Sequence, residues 1–316
     1  MEKYVGIITN YKKDRYMDFT RQIVHYLYEK NVHMYLEEPL KNPEYDSFSI
    51  LNEKNIKKVS FIIIIWGDGT ILKALSQIGE YEKPILGINF GKVGFLANVE
   101  RNEWKECIDK ALNGDYTLDK RMLLDVYDKD NNKLGFALND AVLFRKNHYG
   151  VAEYKVFIND EVFADYLADG VIISGPTGST AYNLSSGGPV VNPNCDLFII
   201  NPICAHTLNS TSIIVNSNDV VKIRFNPKIT SVYIDSVDYN FYSLLVNKIK
   251  NPIVEGAFVH EDWQTFKNTW NIKQIRSWNT RRLNKILKRS GNKRNAGNSF
   301  KRYQTNETYK GNDKKR

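Results

Sequence analysis

Apolar runs and helical repeats alternate over the first hundred residues. The runs are continuous and rich in β-branched residues, which is typical of strands covered on both faces in a parallel sheet with flanking helices. Apolar residues also recur at helical spacing, first from Phe19 to Leu27 and then from Ile71 to Ile78. The predicted strands span residues 4–9, 33–36, 61–65 and 84–88.

The pattern changes after a predicted helix at residues 102–113, which Gly114 ends. Shorter strands then flank turn-rich loops such as Asn159-Asp160, as in antiparallel hairpins. We therefore predict an α/β N-terminal domain with a parallel sheet and a β-rich, β-sandwich-like C-terminal domain, with a cleft between them. The strands predicted here span residues 123–127, 134–138, 155–158, 161–164, 220–225 and 231–235.

Composition supports a folded protein and narrows its class. Of the 316 residues, 42% are hydrophobic and 12% aromatic, which is enough for a real core. The longest apolar run, Phe61 to Trp66, is far shorter than the ~20 residues of a membrane-spanning helix, and no signal peptide is visible. The three cysteines have no CxxC spacing, which argues against a disulfide framework or a zinc site. We therefore expect a cytoplasmic protein without a metal site of its own and without a membrane partner.

The net charge of +8 is concentrated at the C-terminal end. Residues 281–316 contain 13 Lys or Arg and two Asp or Glu, a balance of +11, so residues 1–280 carry −3. This end segment has little apolar periodicity and is rich in Asn, Lys, Gly and Ser, which is typical of a disordered tail. Basic charge attracts phosphates without regard to sequence, so the tail could reach RNA. We expect instead a solvated extension without a nucleic-acid partner.

The candidate chemistry begins after the predicted strand 61–65, at Gly67-Asp68-Gly69-Thr70. Ligands of open α/β sheets bind where strands end, and Gly69 would let a phosphate approach the N–H groups of the following helix. Thr70 is a candidate N-cap of that helix. A carboxylate beside phosphates is unfavourable, so Asp68 is a candidate proton acceptor or Mg²⁺ ligand. An ordinary Asx turn that caps the helix would use the same residues.

The stretch from Asp169 to Pro189 is the most specific one. A short apolar strand leads into PTGSTAYNLSSGGP, a run of glycines and small hydroxyl residues. Such residues leave room for a planar ligand and supply short hydrogen-bond donors and acceptors. Tyr182 could stack on a base or ribose, although an isolated tyrosine more often serves packing. We predict a binding segment rather than a plain surface loop.

Three further signals are weaker. The segment from Gly87 to Leu96 has three glycines at a strand end, which allow a tight turn against a ligand but also suit an ordinary turn. Asn139 and Asp140 could bind ribose hydroxyls, although Asn-Asp commonly ends strands. His206 has no identifiable partner in the sequence, and a lone histidine is more often structural than catalytic.

These motifs, in this order, resemble the NAD kinase family. The family pattern is a GGDGT loop, a GxNxGxxGFL segment, an Asn-Glu/Asp pair, a DGxxxSTPTGSTAYxLSxGGP stretch and a PICPHTL segment. The GDGT loop is shared with lipid kinases and phosphofructokinases, whereas PTGSTAY points to NAD as the acceptor. The matches lie at residues 67–70, 87–96, 139–140, 169–189 and 202–208, and the resemblance covers roughly residues 1–280.

The resemblance implies transfer of the γ-phosphoryl group of ATP, or of polyphosphate, to the adenosine 2′-hydroxyl of NAD⁺, with Mg²⁺ or another divalent cation. Asp68 would then accept the proton of that hydroxyl. Phosphoryl transfer demands mainly positioning and charge neutralisation, so a sparse set of residues is adequate. The implied ribose-binding residues are Asn139, Asp140 and Asp169; the adenine and nicotinamide pockets are lined by Thr177, Thr180, Ala181, Tyr182 and Ser185; and Gly67, Gly69, Thr70 and Asn89 complete the nucleotide site.

The resemblance also sets the predicted domains and assembly. Residues 1–100 form the α/β nucleotide-binding domain with the GDGT loop, and residues 253–280 return to complete it. Residues 101–252 form the β-rich NAD-binding domain, and residues 281–316 form the basic tail. A homodimer or a homotetramer is implied.

The chain departs from the family pattern at three places. Trp66 stands at the first glycine of the loop: a left-handed backbone there would cost ~1–2 kcal/mol and the indole could block a triphosphate, whereas an extended residue could turn it outward. Gly175 replaces a threonine and loses one hydroxyl. Ala205 replaces the proline of PICPHTL, and Thr211-Ser212 stands where Arg-Pro is usual. We expect activity with altered handling of the phosphoryl donor.

Two other hypotheses stay open. The chain could be a nucleotide-binding regulator that has lost catalysis through Trp66 and uses its basic tail to reach RNA or another partner. It could also be a lipid or sugar kinase of the same clan, which the PTGSTAY run disfavours. The motifs do not rank ATP against polyphosphate, or NAD⁺ against NADH.

Overall fold

The computed structural model of the protein describes eleven ranges of the chain, and the predicted tail at 281–316 lies outside them. So do the residues of the predicted returning segment beyond 256. The described ranges are 3–14, 17–37, 49–52, 54–78, 81, 83–91, 94–146, 150–206, 210–239, 243–248 and 254–256.

Seven strands, numbered here along the chain, form the first sheet: β1 (Tyr4–Thr9), β2 (His33–Leu36), β3 (Ser49–Ile50), β4 (Phe61–Trp66), β5 (Ile85–Asn89), β6 (Asp119–Arg121) and β19 (Val254–Gly256). Their order is β3-β2-β1-β4-β5-β19-β6. Neighbours from β3 to β19 run parallel, and β6 pairs antiparallel with β19. The predicted parallel sheet is confirmed.

Helices cover both faces of this sheet: α1 (Asp18–Glu29), α2 (Asp68–Ile78) and α3 (Trp104–Asn113). In β4, Ile63 and Ile65 pack in one cluster with α1 and α3, whereas Ile62 and Ile64 pack in another with α2. The continuous apolar run of β4 therefore reflects burial on two faces. The helix α3 ends at Gly114 in the left-handed conformation, with φ 76°, as the sequence predicts.

Two antiparallel sheets of six strands form the β-rich part and confirm its predicted class. The orders are β11-β10-β15-β18-β7-β8 and β14-β13-β12-β9-β16-β17. A shared apolar cluster, which includes the fully buried Tyr154 and Phe198, joins the two sheets face to face. The strands are β7 (Leu124–Tyr127), β8 (Lys133–Ala137), β9 (Asp140–Arg145), β10 (Ala152–Ile158), β11 (Glu161–Ala168), β12 (Gly170–Ser174), β13 (Leu197–Ile203), β14 (Ile213–Asn216), β15 (Val221–Phe225), β16 (Thr230–Ile234), β17 (Val237–Tyr239) and β18 (Ser243–Lys248).

One apolar cluster joins the first sheet to the β-rich part. Leu123 and Leu138 pack in it with Ile71 of α2 and with Leu96, which follows β5. The helix α3 packs on the first sheet, and β6 is one of its strands, so the first sheet and its covering helices include residues beyond 100. The division of the chain at residue 100 itself stays a prediction.

Candidate active site

Trp66 ends β4 with φ 126°, a backbone region that favours glycine. Residues of a strand alternate between its faces, so Trp66 would be expected to follow Ile64 toward α2. It packs instead in the cluster of α1 and α3, where its ring centroid lies 6.1 Å from that of Phe90. The indole therefore lies on the opposite face from α2, and its buried Nε1 has no hydrogen-bond partner among the described residues.

Asp68 is the first residue of α2, and the loop after β5 binds its carboxylate. The N–H of Phe95 donates to Oδ2 at 2.7 Å, and the N–H groups of Leu96 and Ala97 donate to Oδ1 at 3.1 and 3.0 Å. A Cβ atom at Gly94 would overlap this carboxylate. Since a carboxylate has about four lone-pair positions, one remains for a hydroxyl donor. The two glycine-rich motifs thus meet at Asp68.

The other predicted residues of these motifs surround the start of α2. The Oδ1 atom of Asn89 accepts the N–H of Gly91 at 2.8 Å and lies 3.6 Å from where a Cβ of Gly67 would be. Gly69 is exposed and has open space at its side-chain position, which leaves the first turn of α2 accessible. The helix thus begins two residues before the predicted N-cap Thr70, and that prediction is wrong.

In the first turn of α2, Thr70 faces the ends of β1 and β2, whereas Gly69 is exposed. Thr70 is buried and lines a cleft of about 150 Å³ at these strand ends. Lys12, Lys73 and Glu37 line the same cleft, and burial raises the pKa of Glu37 whereas the charge of Lys73 lowers it. Two lysines beside a helix N-terminus are compatible with phosphate groups.

A larger cavity of about 430 Å³ lies at the ends of β9 and β16. It contains four of the predicted site residues, Asn139, Asp140, Ala181 and Tyr182. Aromatic walls with a few polar groups are typical of sites for planar ligands. The remaining lining residues are Val142, Phe144, Tyr233, Asp235 and Ser236.

Asp140 has a strongly raised pKa in this cavity. Its side chain is buried, with 6% of the residue exposed. Burial, and then the negative charge of Asp235, raise the pKa of Asp140 to about 7, although the N–H of Tyr182 donates to it and lowers the pKa. Desolvation also raises the pKa of Asp235. The carboxyl group of Asp140 therefore changes its charge near neutral pH.

Asp169 does not line the cavity, but it lies within electrostatic reach of it. Its Oδ1 accepts a hydrogen bond from Arg145 Nε at 2.7 Å, and both side chains are mostly buried. Burial raises the pKa of Tyr182, and the charges of Asp140 and Asp169 add to that shift. The ion pair fixes the direction of the Asp169 carboxylate beside the site.

The predicted residues after β12 lie in a 3₁₀ turn, Thr177–Thr180, and in the short helix α4 (Tyr182–Ser185). Thr177 is buried, and its hydroxyl has no partner among the described residues. Thr180 donates to the Thr177 carbonyl at 3.2 Å, whereas Ser185 is exposed. Among the described residues, the Thr177 hydroxyl is therefore left without a hydrogen bond inside the protein.

Close packing explains several small residues of this segment. A Cβ atom at Gly178 would overlap the carbonyl of Asn139, and one at Gly188 would overlap the buried Asn183 side chain. Asn183 Nδ2 donates to the carbonyls of Ser179 and Pro189 at 3.1 and 2.9 Å. The glycines thus let the segment fold tightly around Asn183 and against Asn139.

Several residues of the site have no counterpart in the sequence prediction. Asp235, Tyr233 and Phe144 line the cavity, but no motif marks them. Gly175, which replaces the family threonine, donates its N–H to the Asn139 carbonyl at 3.1 Å. His206 is exposed, and its backbone N–H donates to the Leu167 carbonyl at 2.7 Å.

Two family models match the chain. The ATP-NAD kinase N-terminal domain matches residues 5–116, and the ATP-NAD kinase C-terminal domain matches residues 138–250. The first range contains Asp68 and its binding loop. The second contains the cavity and the segment after β12.

Curated relatives match over most of their length. The chain is 39% identical to the NAD kinase of Thermoanaerobacter sp. (strain X514) over 246 residues, which cover 77% of this chain and 87% of that protein. It is 34% identical to the NAD kinase of Clostridium botulinum (strain Kyoto / Type A2) over 249 residues, which cover 78% of this chain and 86% of that protein.

Solved structures share the fold. Yeast NADH kinase complexed with NADH matches with a TM-score of 0.75 and 23% identity over 86% of this chain and 89% of that one. An NAD kinase from Archaeoglobus fulgidus in complex with ATP matches with a TM-score of 0.67 and 21% identity over 88% and 99%. At these identities, the matches establish the two-part architecture alone.

Proposed function

Because the chain belongs to the ATP-NAD kinase family, we propose that it transfers the γ-phosphoryl group of ATP to the adenosine 2′-hydroxyl of NAD⁺ and forms NADP⁺. The resemblance inferred from the motifs is confirmed. The binding of Asp68 by the loop after β5 is the observation that carries the mechanism. The regulator hypothesis gains no support, since the Trp66 indole lies on the face of the sheet opposite α2.

Asp68 acts as the proton acceptor. The 2′-hydroxyl donates to the remaining lone-pair position of its carboxylate, which three N–H groups hold in place. As the bond between O2′ and the γ-phosphorus forms, the proton passes to Asp68, and the bond from the γ-phosphorus to the β–γ bridging oxygen breaks to release ADP. General-base catalysis of this kind contributes ~10²–10⁴ in rate.

The dinucleotide occupies the cavity between β9, β16 and α4. Asn139 and Asp140 bind ribose hydroxyls, and Tyr182 stacks on a ring of the substrate. Asp169, held by Arg145, binds a ribose group at the other side. Thr177, Thr180, Ala181 and Ser185 line the adenine and nicotinamide pockets. The cavity supports this assignment, as does the Thr177 hydroxyl, which has no partner among the described residues.

The donor phosphates approach the first turn of α2, where Gly69 leaves open space. The described residues include no group of three or more His, Cys, Asp or Glu side chains that could hold a metal ion. Mg²⁺ commonly binds substrate phosphates and water with only one or two protein carboxylates. We therefore infer that a divalent cation would be held mainly by the donor phosphates and would neutralise part of their charge.

A homodimer or homotetramer in the cytoplasm completes the proposal. The edge strand β11 supports it, since Val162, Phe163 and Leu167 are exposed on that strand and edge strands tend to pair. No helix in the described ranges is both long and apolar enough to span a membrane. Gel filtration with light scattering measures the number of subunits.

One assay tests the reaction. Purified protein with ATP, Mg²⁺ and NAD⁺ is expected to form NADP⁺, detected with an NADP⁺-specific dehydrogenase. Parallel reactions with polyphosphate and with NADH rank the donors and acceptors. NAD⁺ binding without any turnover would contradict the kinase and favour the regulator.

A further inference from the structure

Asp235 lies at the tip of the hairpin between β16 and β17, with φ 45°, and its carboxylate accepts three successive backbone N–H groups. The donors are Leu138 at 2.7 Å, Asn139 at 2.9 Å and Asp140 at 3.3 Å. In return, the N–H of Asp235 donates to the Asp140 carbonyl at 3.0 Å. Four hydrogen bonds thus join the hairpin tip to the turn before β9.

This turn carries Asn139 and Asp140, which line the cavity. It is fixed from the other side as well, because the Asn139 carbonyl accepts the N–H of Gly175 at 3.1 Å and the hydroxyl of Ser174 at 3.2 Å. Those bonds hold one carbonyl group. The N–H groups of residues 138–140 depend on Asp235, and its loss would leave them without this acceptor.

We propose that Asp235 is a positioning residue for the dinucleotide, which holds Asn139 and Asp140 through the backbone of residues 138–140 and makes dinucleotide affinity depend on pH through Asp140. The ligand's identity rests on the proposed function. Ribose hydroxyls are donors, and an ionised carboxylate accepts from them more strongly than a neutral carboxyl group. Dinucleotide affinity therefore rises as Asp140 ionises.

The charges around the pair support this dependence. Burial and the charge of Asp235 raise the pKa of Asp140 to about 7, so that it ionises near neutral pH. Among the described residues that line the cavity there is no Lys or Arg to offset the two carboxyl groups. In the part of the chain that the structure describes, the other titratable or charged groups on this side are Tyr233 of β16, Tyr182 of α4 and, beyond Tyr182, Cys204, Asp169 and Arg145.

Two substitutions separate the charge of Asp235 from its hydrogen bonds. Asp235→Asn removes the charge and places an amide donor against N–H donors. Asp235→Glu keeps the charge but moves the carboxylate by one methylene. Both are expected to weaken NAD⁺ binding at least ~10-fold, about the cost of a lost charge-assisted hydrogen bond. Only Asp235→Asn is expected to move the midpoint of the pH dependence, downward by roughly one unit.

NAD⁺ binding is measured by titration calorimetry between about pH 5.5 and 8.5, without any phosphoryl donor, on the full-length chain. Because no turnover is involved, failure of the kinase assay and failure of this inference are separate results. Asp140→Asn serves as a second variant, and its NAD⁺ affinity is expected to lose the dependence on pH near neutrality. Thermal unfolding confirms that each variant is folded.

Asp128→Asn is the matched control. Asp128 also accepts backbone N–H groups in a turn, those of Asp130 and Asn132 at 2.9 and 2.8 Å, but it lies outside the cavity. Its substitution is expected to leave affinity and midpoint unchanged. Affinity of Asp235→Asn within twofold of the parent, an unmoved midpoint, or a pH dependence that persists in Asp140→Asn would each overturn the proposal.

Discussion

The backbone nitrogen of Phe95 lies 2.7 Å from Oδ2 of Asp68. The loop after β5 therefore holds the acidic side chain that follows the neighbouring strand β4. This contact joins two glycine-rich motifs that are separate in the sequence. It fixes the carboxylate while leaving one of its acceptor positions available. The proposed proton acceptor is therefore set in place before the substrate binds.

Asp68→Asn is expected to lower kcat at least ~100-fold with a smaller effect on the KM for NAD⁺. An amide cannot take up the proton of the 2′-hydroxyl, although it keeps the size of the carboxylate. Initial rates of NADP⁺ formation measure the change. Asp219→Asn is the control, because Asp219 also accepts a backbone N–H, that of Asn216 at 2.9 Å, away from α2. A rate for Asp68→Asn within twofold of the parent would refute the base assignment.

Gly94→Ala is expected to lower kcat at least ~10-fold, because its Cβ atom would displace the Asp68 carboxylate. Gly91→Ala is the matched substitution in the same loop, where the nearest side-chain atom is Asn89 Oδ1 at an ordinary 3.6 Å. Its rate is expected to stay within about threefold of the parent. Equal losses in both variants would show that the loop tolerates no side chain, whatever Asp68 does.

Trp66→Gly is expected to be more stable than Trp66→Ala by about 1 kcal/mol. Both variants lose the packing of the indole, but only glycine adopts φ 126° without strain. The greater freedom of glycine in the unfolded chain offsets part of this gain. Urea unfolding measures the difference. Activity is expected to persist in Trp66→Gly, since the indole lies away from α2; a loss beyond tenfold would show that the indole supports the site.

The pKa of Asp140 also predicts how stability depends on pH. Its pKa is about 7 in the folded protein against 3.8 for the ordinary side chain. Between these values the folded state binds more protons than the unfolded state, so this group's contribution to stability is lost as pH rises toward 7. Asp140→Asn is expected to raise the melting temperature more at pH 8 than at pH 5, while NAD⁺ binding weakens. An equal change in melting temperature at both pH values would contradict the raised pKa of Asp140.

The strands of the first sheet were well predicted from local patterns, because a strand that is buried on both faces has an uninterrupted run of apolar residues. The runs in β1 and β4 are apolar throughout, and both lie inside the first sheet. Asn139, Asp140, Ala181 and Tyr182 were also predicted together, and they line one cavity. These residues come from two separate motifs, and the resemblance to the family is what joined them in one predicted site.

Contacts over long sequence distances could not be predicted in the same way. Asp68 meets residues 27 to 29 positions later, and Asp235 meets Asn139 across 96 positions. Nothing near Asp235 signals this role, because Asp-Ser at a strand end suits any tight turn. The sequence also left open whether the backbone of Trp66 is left-handed or extended. Trp66 has a positive φ of 126°, and its indole packs near Phe90 in the cluster that contains α1, contacts that the local sequence does not predict.

The shared cluster of Leu123, Leu138, Ile71 and Leu96 has a consequence for chimeric enzymes. Leu138 immediately precedes Asn139, and Ile71 follows Asp68 by three positions. Grafting the β-rich half of a relative onto this N-terminal half would change the spacing between acceptor pocket and base unless those four apolar residues were exchanged as one set. The apolar cluster shared by the two halves, more than either half alone, therefore determines which chimeras keep Asp68 aligned with the acceptor pocket.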